Sequence, residues 1–180
     1  MDIAERQLEA LLVVRAQTGD ETAFEAIVRR YHARLLYFVR RMVCGYSGAD
    51  DVLQDVWLAA HQQLPRLRSP ETLRVWLYRI ARNRAMQAMR QRHWPAEKAV
   101  PDCTAAPEAE EPQFTAADAE KVHAALDRLS PAHREILTLR FLEQLSYEEL
   151  ATTTDCDLGT VKSRLYYAKR AIKQELEKMP

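Results

Sequence analysis

Apolar residues recur every three or four positions along most of the chain, and this spacing limits what the chain can fold into. Between positions 24 and 42 the repeat places eight side chains on one side of a helix. Asp20 stands where it can cap the start of that helix, and Gly45 lies just past its end. No segment alternates apolar and polar residues as a half-buried strand does. We therefore expect an all-α protein whose longest early helix buries Phe24, Ile27, Val28, Tyr31, Leu35, Phe38, Val39 and Met42.

Three more helices are expected before position 95. A short one, "LEALLVVRAQ", precedes the long helix, and one begins near Ser47. The last opens at "SPET", where Ser69 can act as the cap and Pro70 fits the first helical position. The stripes that should face the core are Val52, Leu53, Val56, Trp57 and Ala60, followed by Leu73, Trp76, Leu77, Ile80 and Ala81.

The stretch "PAEKAVPDCTAAPEAEEP", residues 95–112, interrupts this pattern with four prolines and no apolar repeat. Proline blocks helix continuation and biases the preceding residue away from helical geometry. We expect two small helical domains, 1–94 and 117–180, joined by a flexible, acidic, proline-containing linker at 95–116. About 60 residues give a marginal core, so the second domain should be the softer one.

The carboxy-terminal part has the order of a helix-turn-helix. A short helix, "SYEELATTT", is followed by the tight connection "DCD" and a basic helix, "LGTVKSRLYYAKRAIKQELEK". Start signals are present at Ser130 with Pro131, Ser146 with Glu149, and Asp157. In the basic helix, spacing turns Leu158, Val161, Leu165 and Ala168 inward and Lys162, Ser163, Tyr166 and Lys169 or Arg170 outward, where a major groove can receive them. The alternative is an ordinary solvated amphipathic helix.

Charge is segregated along a chain that balances 26 basic and 26 acidic residues. Residues 75–94 carry five arginines and three aromatics but no acid, a composition that suits unstacked bases and their backbone. A surface helix with solvated arginines fits the same composition. Asp50, Asp51, Gln54 and Asp55 have the opposite character; they favour the dipole of a helix start or form a protein-docking face.

Several classes of function are disfavoured. The chain has neither a glycine-rich phosphate loop nor a His-Glu-x-x-His spacing, and its five histidines are scattered. Cys44, Cys103 and Cys156 are odd in number and widely spaced, which predicts neither a disulfide framework nor a zinc site. We expect no enzyme activity, no cofactor and no metal. The stretch "ALLVV" is too short to span a membrane and no basic segment precedes it, so we expect a cytoplasmic protein without membrane insertion.

Four stretches in order resemble the bacterial extracytoplasmic-function (ECF) sigma factors of the sigma-70 family. They are "GDETAFEAIVRRYHARLL", "DDVLQDVWLAA", "WLYRIARNRAM" and "LSPAHREILTLRFLEQLSYEELATTTDCDLGTVKSRLYYAKRAI". The resemblance implies a subunit that binds core RNA polymerase, recognises the minus-ten and minus-thirty-five promoter elements and drives promoter melting. It also implies an anti-sigma partner that restrains the protein.

The resemblance assigns roles to positions of this chain. A face that docks on the β′ clamp helices of core polymerase would comprise Asp51, Gln54, Asp55 and Trp57. Asn83 would lie nearest a base flipped from the minus-ten element, surrounded by Trp76, Tyr78, Arg79 and Arg82. The minus-thirty-five element would be read by Lys162, Ser163, Arg164, Tyr166, Tyr167 and Arg170.

The chain departs from the family pattern in three respects. The loop "PRLRSPET" lacks the glycine-aspartate turn, Thr153 and Thr154 replace apolar residues, and Tyr167 stands where some relatives carry arginine. Two other functions remain open on the residues. One is a free-standing regulator with a LuxR-like output domain, against which the helical first half argues; the other is a helical adaptor that binds only protein.

Overall fold

The computed structural model describes residues 3–43, 48–91 and 119–179, and every regular element in these ranges is helical. This confirms the all-α prediction. The chain divides into two compact units, 1–93 and 94–180, and the predicted linker at 95–116 lies outside the described residues. None of the helices described combines the length and apolar character needed to cross a membrane. The helices are α1 (Ile3–Gln17), α2 (Glu21–Met42), α3 (Ala49–Gln63), α4 (Leu73–Gln91), α5 (Ala119–Asp127), α6 (Pro131–Leu137), α7 (Tyr147–Thr154) and α8 (Leu158–Glu177).

The first unit is built around α2, which packs against α1, α3 and α4. Asp20 caps it as predicted, since its carboxylate accepts a hydrogen bond from the Ala23 backbone at 3.2 Å. Hydrogen bonds from Thr22, Arg15 and that amide lower the Asp20 pKa to about 2. The helix ends at Met42, and Gly45 lies outside the described residues. The predicted stripes are largely buried, with Phe24, Val28, Trp57 and Trp76 half-buried at their edges.

Helix α1 is held to α2 by a buried polar cluster. Glu9 is almost fully buried, and its Oε1 accepts hydrogen bonds from the Tyr31 hydroxyl and from Arg30 Nε, each at 2.7 Å. Burial, then the Glu9 carboxylate, raises the pKa of Tyr31. A charge is tolerated in this core because both partners are hydrogen-bonded to it.

The connection between α3 and α4 is fixed from a distant part of the sequence. It contains two 3₁₀ turns, Leu64–Arg66 and Pro70–Thr72. The side-chain amide of Gln17, at the end of α1, donates to the Leu64 carbonyl at 3.0 Å and to the Leu67 carbonyl at 2.7 Å. These bonds set the chain path that leads into α4.

In the second unit the start signals read from the sequence are present. Ser130 caps α6, Ser146 and Glu149 form a capping box on α7, and Asp157 caps α8. A π-helical segment, Thr138–Leu142, extends α6. The core that these helices enclose contains Ala125, Leu126, Leu129, Ile136, Leu137, Leu139, Leu145, Leu150, Val161, Leu165, Ala168 and Ile172.

The polar residues at apolar positions of α7 satisfy their own hydroxyls. Thr153 and Thr154 are both buried, and they donate to the carbonyls of Glu149 and Leu150, each at 2.7 Å. A threonine bonded to the carbonyl four residues earlier leaves no unsatisfied hydroxyl in the core. The sequence departure at these two positions is therefore accommodated within the helix.

Candidate nucleic-acid and protein interfaces

Helix α4 presents a basic outer face. Trp76, Arg79 and Asn83 are spaced three and four residues apart, so they lie on one side of the helix. Arg79 and Asn83 are exposed, while Trp76 is half-buried and Arg82 lies half-buried at the edge of the face. Since α4 contains no acidic residue, the face carries positive charge only. Arg92 and Trp94 of the predicted segment lie outside the described residues.

Tyr78 does not belong to this face. Its side chain is completely buried, and its ring packs edge-on against Phe38 with 5.3 Å between centroids. Tyr78 lies two residues from Trp76, which is 200° around a helix. The expectation that Tyr78 stands around a captured base is wrong for this structure, because a ring in the core cannot stack on one.

Helix α3 carries the predicted acidic face. Asp51, Gln54 and Asp55 are all exposed and lie on one side of the helix. Leu58, 57% exposed, lies on the same side one turn further on and is not among the residues predicted for this face. Leu58 follows Asp51 by seven residues, about two helical turns, and this spacing could have predicted that it shares the face.

Trp57 packs against α2 rather than belonging to the exposed face. The indole is half-buried, and Phe24 lies edge-on to it at 6.3 Å between centroids. The indole nitrogen is buried without a hydrogen-bond partner in the described part of the chain. Trp57 therefore anchors α3 against α2, and the exposed apolar group of the face is Leu58.

Helix α8 presents a second basic face on the other unit. Lys162, Tyr166 and Arg170 follow one another at four-residue steps, with Lys162 and Arg170 exposed and Tyr166 half-buried. The Tyr166 ring packs edge-on against the Tyr167 ring, with 5.3 Å between centroids. The Arg170 guanidinium lies 5.7 Å from the centroid of the Tyr166 ring. Arg164 is half-buried. Burial of the His133 imidazole lowers its pKa, and the positive charge of Arg164 lowers it further.

Two orientations predicted for α8 are wrong. Ser163 is 6% exposed, and its hydroxyl donates to the Thr160 carbonyl at 3.1 Å, so it does not project outward. Leu158 is 43% exposed rather than part of the core, because inward packing begins at Val161. Among the described residues, no group of three His, Cys, Asp or Glu side chains is arranged to hold a metal ion.

Comparison with known proteins identifies the family. Residues 27–95 match sigma-70 region 2, and residues 119–172 match sigma-70 region 4. The RNA polymerase sigma-H factor of Pseudomonas aeruginosa is 34% identical over 178 residues, covering 92% of each protein. The ECF RNA polymerase sigma-E factor of Escherichia coli is 30% identical over 192 residues, covering 97% of each. The chain belongs to the ECF sigma factors of the sigma-70 family. In this ECF sigma factor the α3 and α4 faces fall within region 2, and the α8 face falls within region 4.

Solved structures share the fold of this ECF sigma factor. CnrH, solved in complex with the cytosolic domain of CnrY, aligns with a TM-score of 0.70 and 23% identity, covering 96% of this chain and 99% of that chain. RpoE from Bartonella quintana, solved with the anti-sigma factor NepR, aligns with a TM-score of 0.66 and 24% identity, covering 87% and 98%.

Proposed function

We propose that this ECF sigma factor binds core RNA polymerase through α3, opens and holds the minus-ten element with α4, and reads the minus-thirty-five element with α8. The observation that carries the proposal is the opposite charge of two faces on one compact unit. Aspartates crowd the outer face of α3, whereas α4 contains no acid. One face thus suits a basic protein surface and the other suits nucleic acid.

Melting has to be driven by binding free energy, since the sequence contains no nucleotide-hydrolysis motif. Extruding a base from the duplex costs a few kcal/mol, and stacking a base on an aromatic ring returns about 1–3 kcal/mol. With Tyr78 in the core, the described aromatic ring on the α4 face is Trp76, next to Arg79 and Asn83. We infer that Trp76 supplies stacking, Arg79 and Arg82 contact the backbone, and Asn83 hydrogen-bonds the base.

Docking on the β′ clamp helices would use Leu58 at one end of the face that Asp51, Gln54 and Asp55 form. An exposed apolar group next to charged side chains is a common arrangement for a protein interface, in which the apolar group is desolvated and the charges steer association. The charges should then govern the rate of binding and its salt dependence.

The upstream element would be read in duplex form by α8. Lys162 and Arg170 are exposed and able to reach guanine edges or phosphates, and the braced Tyr166 and Tyr167 rings lie between them along the helix. Ser163 is too buried to take part. We also propose an anti-sigma partner for this chain; the support is that RpoE of the same fold was solved with one.

The test combines the purified chain with bacterial core RNA polymerase in size-exclusion chromatography, then in transcription from templates with a randomised upstream region. We expect co-elution and discrete start sites. Asp51→Arg with Asp55→Arg should reduce co-elution. The matched control is Glu21→Arg with Glu25→Arg, which makes the same charge change at the same spacing on exposed positions of α2.

The outcomes separate the competing functions. Equal loss in both double variants would overturn the docking assignment, because charge alone would then explain it. Binding of duplex DNA without any association with polymerase would favour the free-standing regulator. Binding of neither would favour the protein-only adaptor.

A further inference from the structure

Leu158 is an apolar side chain exposed on the proposed DNA-reading helix. It is the first residue of α8, and 43% of it is accessible to solvent. Lys162 lies one turn further along on the same side and is also exposed. An exposed leucine beside an exposed lysine gives this end of α8 one apolar and one cationic contact.

The residues on either side of Leu158 offer no side chain for contact with a ligand. Asp157 caps the helix, with Oδ1 accepting from the Thr160 amide at 2.9 Å and Oδ2 from the Thr160 hydroxyl at 2.8 Å. Gly159 has no side chain, and a Cβ there would lie 3.0 Å from Asp157 Oδ1. Leu158 is therefore the side chain at this end that is available to meet a surface.

We propose that Leu158 is a specificity residue that contacts the 5-methyl group of a thymine in the upstream promoter element. The inference rests on the proposed function, in which α8 enters the major groove. In a helix-turn-helix, the first residues of the second helix approach the base edges. Thymine presents its methyl group in that groove, and apolar side chains recognise it there.

The spacing places this thymine relative to a second contact. Four helical residues rise about 6 Å, which corresponds to about two base-pair steps of 3.4 Å. A guanine or phosphate contacted by Lys162 should therefore lie within roughly two base pairs of the thymine. DNA is favoured over a protein as the occupant because Lys162, Arg170 and Lys173 are all exposed on this helix, and their charge complements phosphate.

The experiment removes the methyl group alone. The full chain with core polymerase first selects its upstream element from randomised duplex templates, and each selected thymine is then replaced by deoxyuridine. For the wild type we expect about a fourfold loss in competitive transcription at one position, the effect of one buried methyl group. Leu158→Ala should show no difference between thymine and deoxyuridine there, while its preferences at other positions persist.

Leu142→Ala is the matched control, since Leu142 is 44% exposed in the same unit but lies on the π-helical segment. It should discriminate thymine from deoxyuridine as the wild type does. Unchanged discrimination by Leu158→Ala, or no thymine effect in the wild type, would overturn the inference. So would loss of polymerase co-elution by Leu158→Ala alone, because the leucine would then contact protein. Absence of transcription with the wild type would instead refute the proposed function itself.

Discussion

Arg134 should be a main determinant of the stability of the second unit. Its guanidinium is buried and donates to three carbonyls, two in the last turn of α5 (Leu126 at 2.9 Å and Asp127 at 3.1 Å) and one just after it (Leu129 at 2.8 Å). The bonds to Leu126 and Leu129 are buried, and a hydrogen bond to a charged group contributes roughly 1.5–3 kcal/mol. Arg134→Met keeps an unbranched apolar chain at this position but removes every donor, so we expect a loss of about 3 kcal/mol in the free energy of unfolding.

Thermal unfolding followed by circular dichroism would check this value. For a domain of roughly 60–100 residues, 1 kcal/mol shifts Tm by about 4–8 °C, so the transition of the second unit should fall by about 12–24 °C. The control is Arg128→Met, because Arg128 is exposed and pairs with Glu175 across 3.8 Å; its Tm should stay near that of the wild type. Equal Tm values for the two variants would show that the guanidinium does not hold α5 in place.

Three more results are expected. Tyr31→Phe removes the 2.7 Å hydrogen bond to buried Glu9 and should lower the free energy of unfolding of the first unit by roughly 1–2 kcal/mol; an unchanged urea midpoint would contradict this. Asn83→Ala should weaken minus-ten opening without altering polymerase co-elution, and permanganate reactivity equal to that of the wild type would count against the assignment. Because folding lowers the pKa of Asp20 from 3.8 to about 2, the ionised Asp20 carboxylate stabilises the folded state fully above about pH 4. That stabilisation is lost as the pH falls through 2. Asp20→Asn should therefore show a smaller decline in its urea midpoint over that range than the wild type does.

The helices and their starts could be predicted because the signals are local. Repeats of three and four residues in α2, α3 and α4 mark the buried stripes, and Asp20, Ser130, Ser146 and Asp157 sit immediately before the helices that they cap. Each cap acts on an amide three residues away, so no knowledge of the tertiary structure is needed. Charge is equally local, and the structure leaves Asp51 and Asp55 exposed on α3 and Arg79 exposed on α4.

The side chains that were misplaced depend on neighbours distant in sequence or on a helix end. The family resemblance places Tyr78 near the DNA, but its ring is buried against Phe38 on α2. Leu158 continues the spacing of the core stripe, yet α8 only begins to pack one turn later, at Val161. Glu9 is a charged residue that is buried, because Tyr31 and Arg30 on α2 donate hydrogen bonds to its carboxylate. Periodicity predicts which side of a helix is apolar but not where the partner helix stops.

The neutrality of the whole chain follows from the proposed function. Non-specific affinity for DNA increases with the number of phosphates that a protein neutralises. This chain has 26 basic and 26 acidic residues, so it has no net positive charge that would attract it to DNA as a whole. Helix α4 carries five arginines and no acid, and α8 carries five basic residues against two acidic ones; the two helices lie on separate compact units. Each face alone should bind DNA weakly, whereas two faces presented together on one polymerase act at a high effective concentration. Promoter binding should thus depend on polymerase, so that the free protein does not accumulate on bulk DNA.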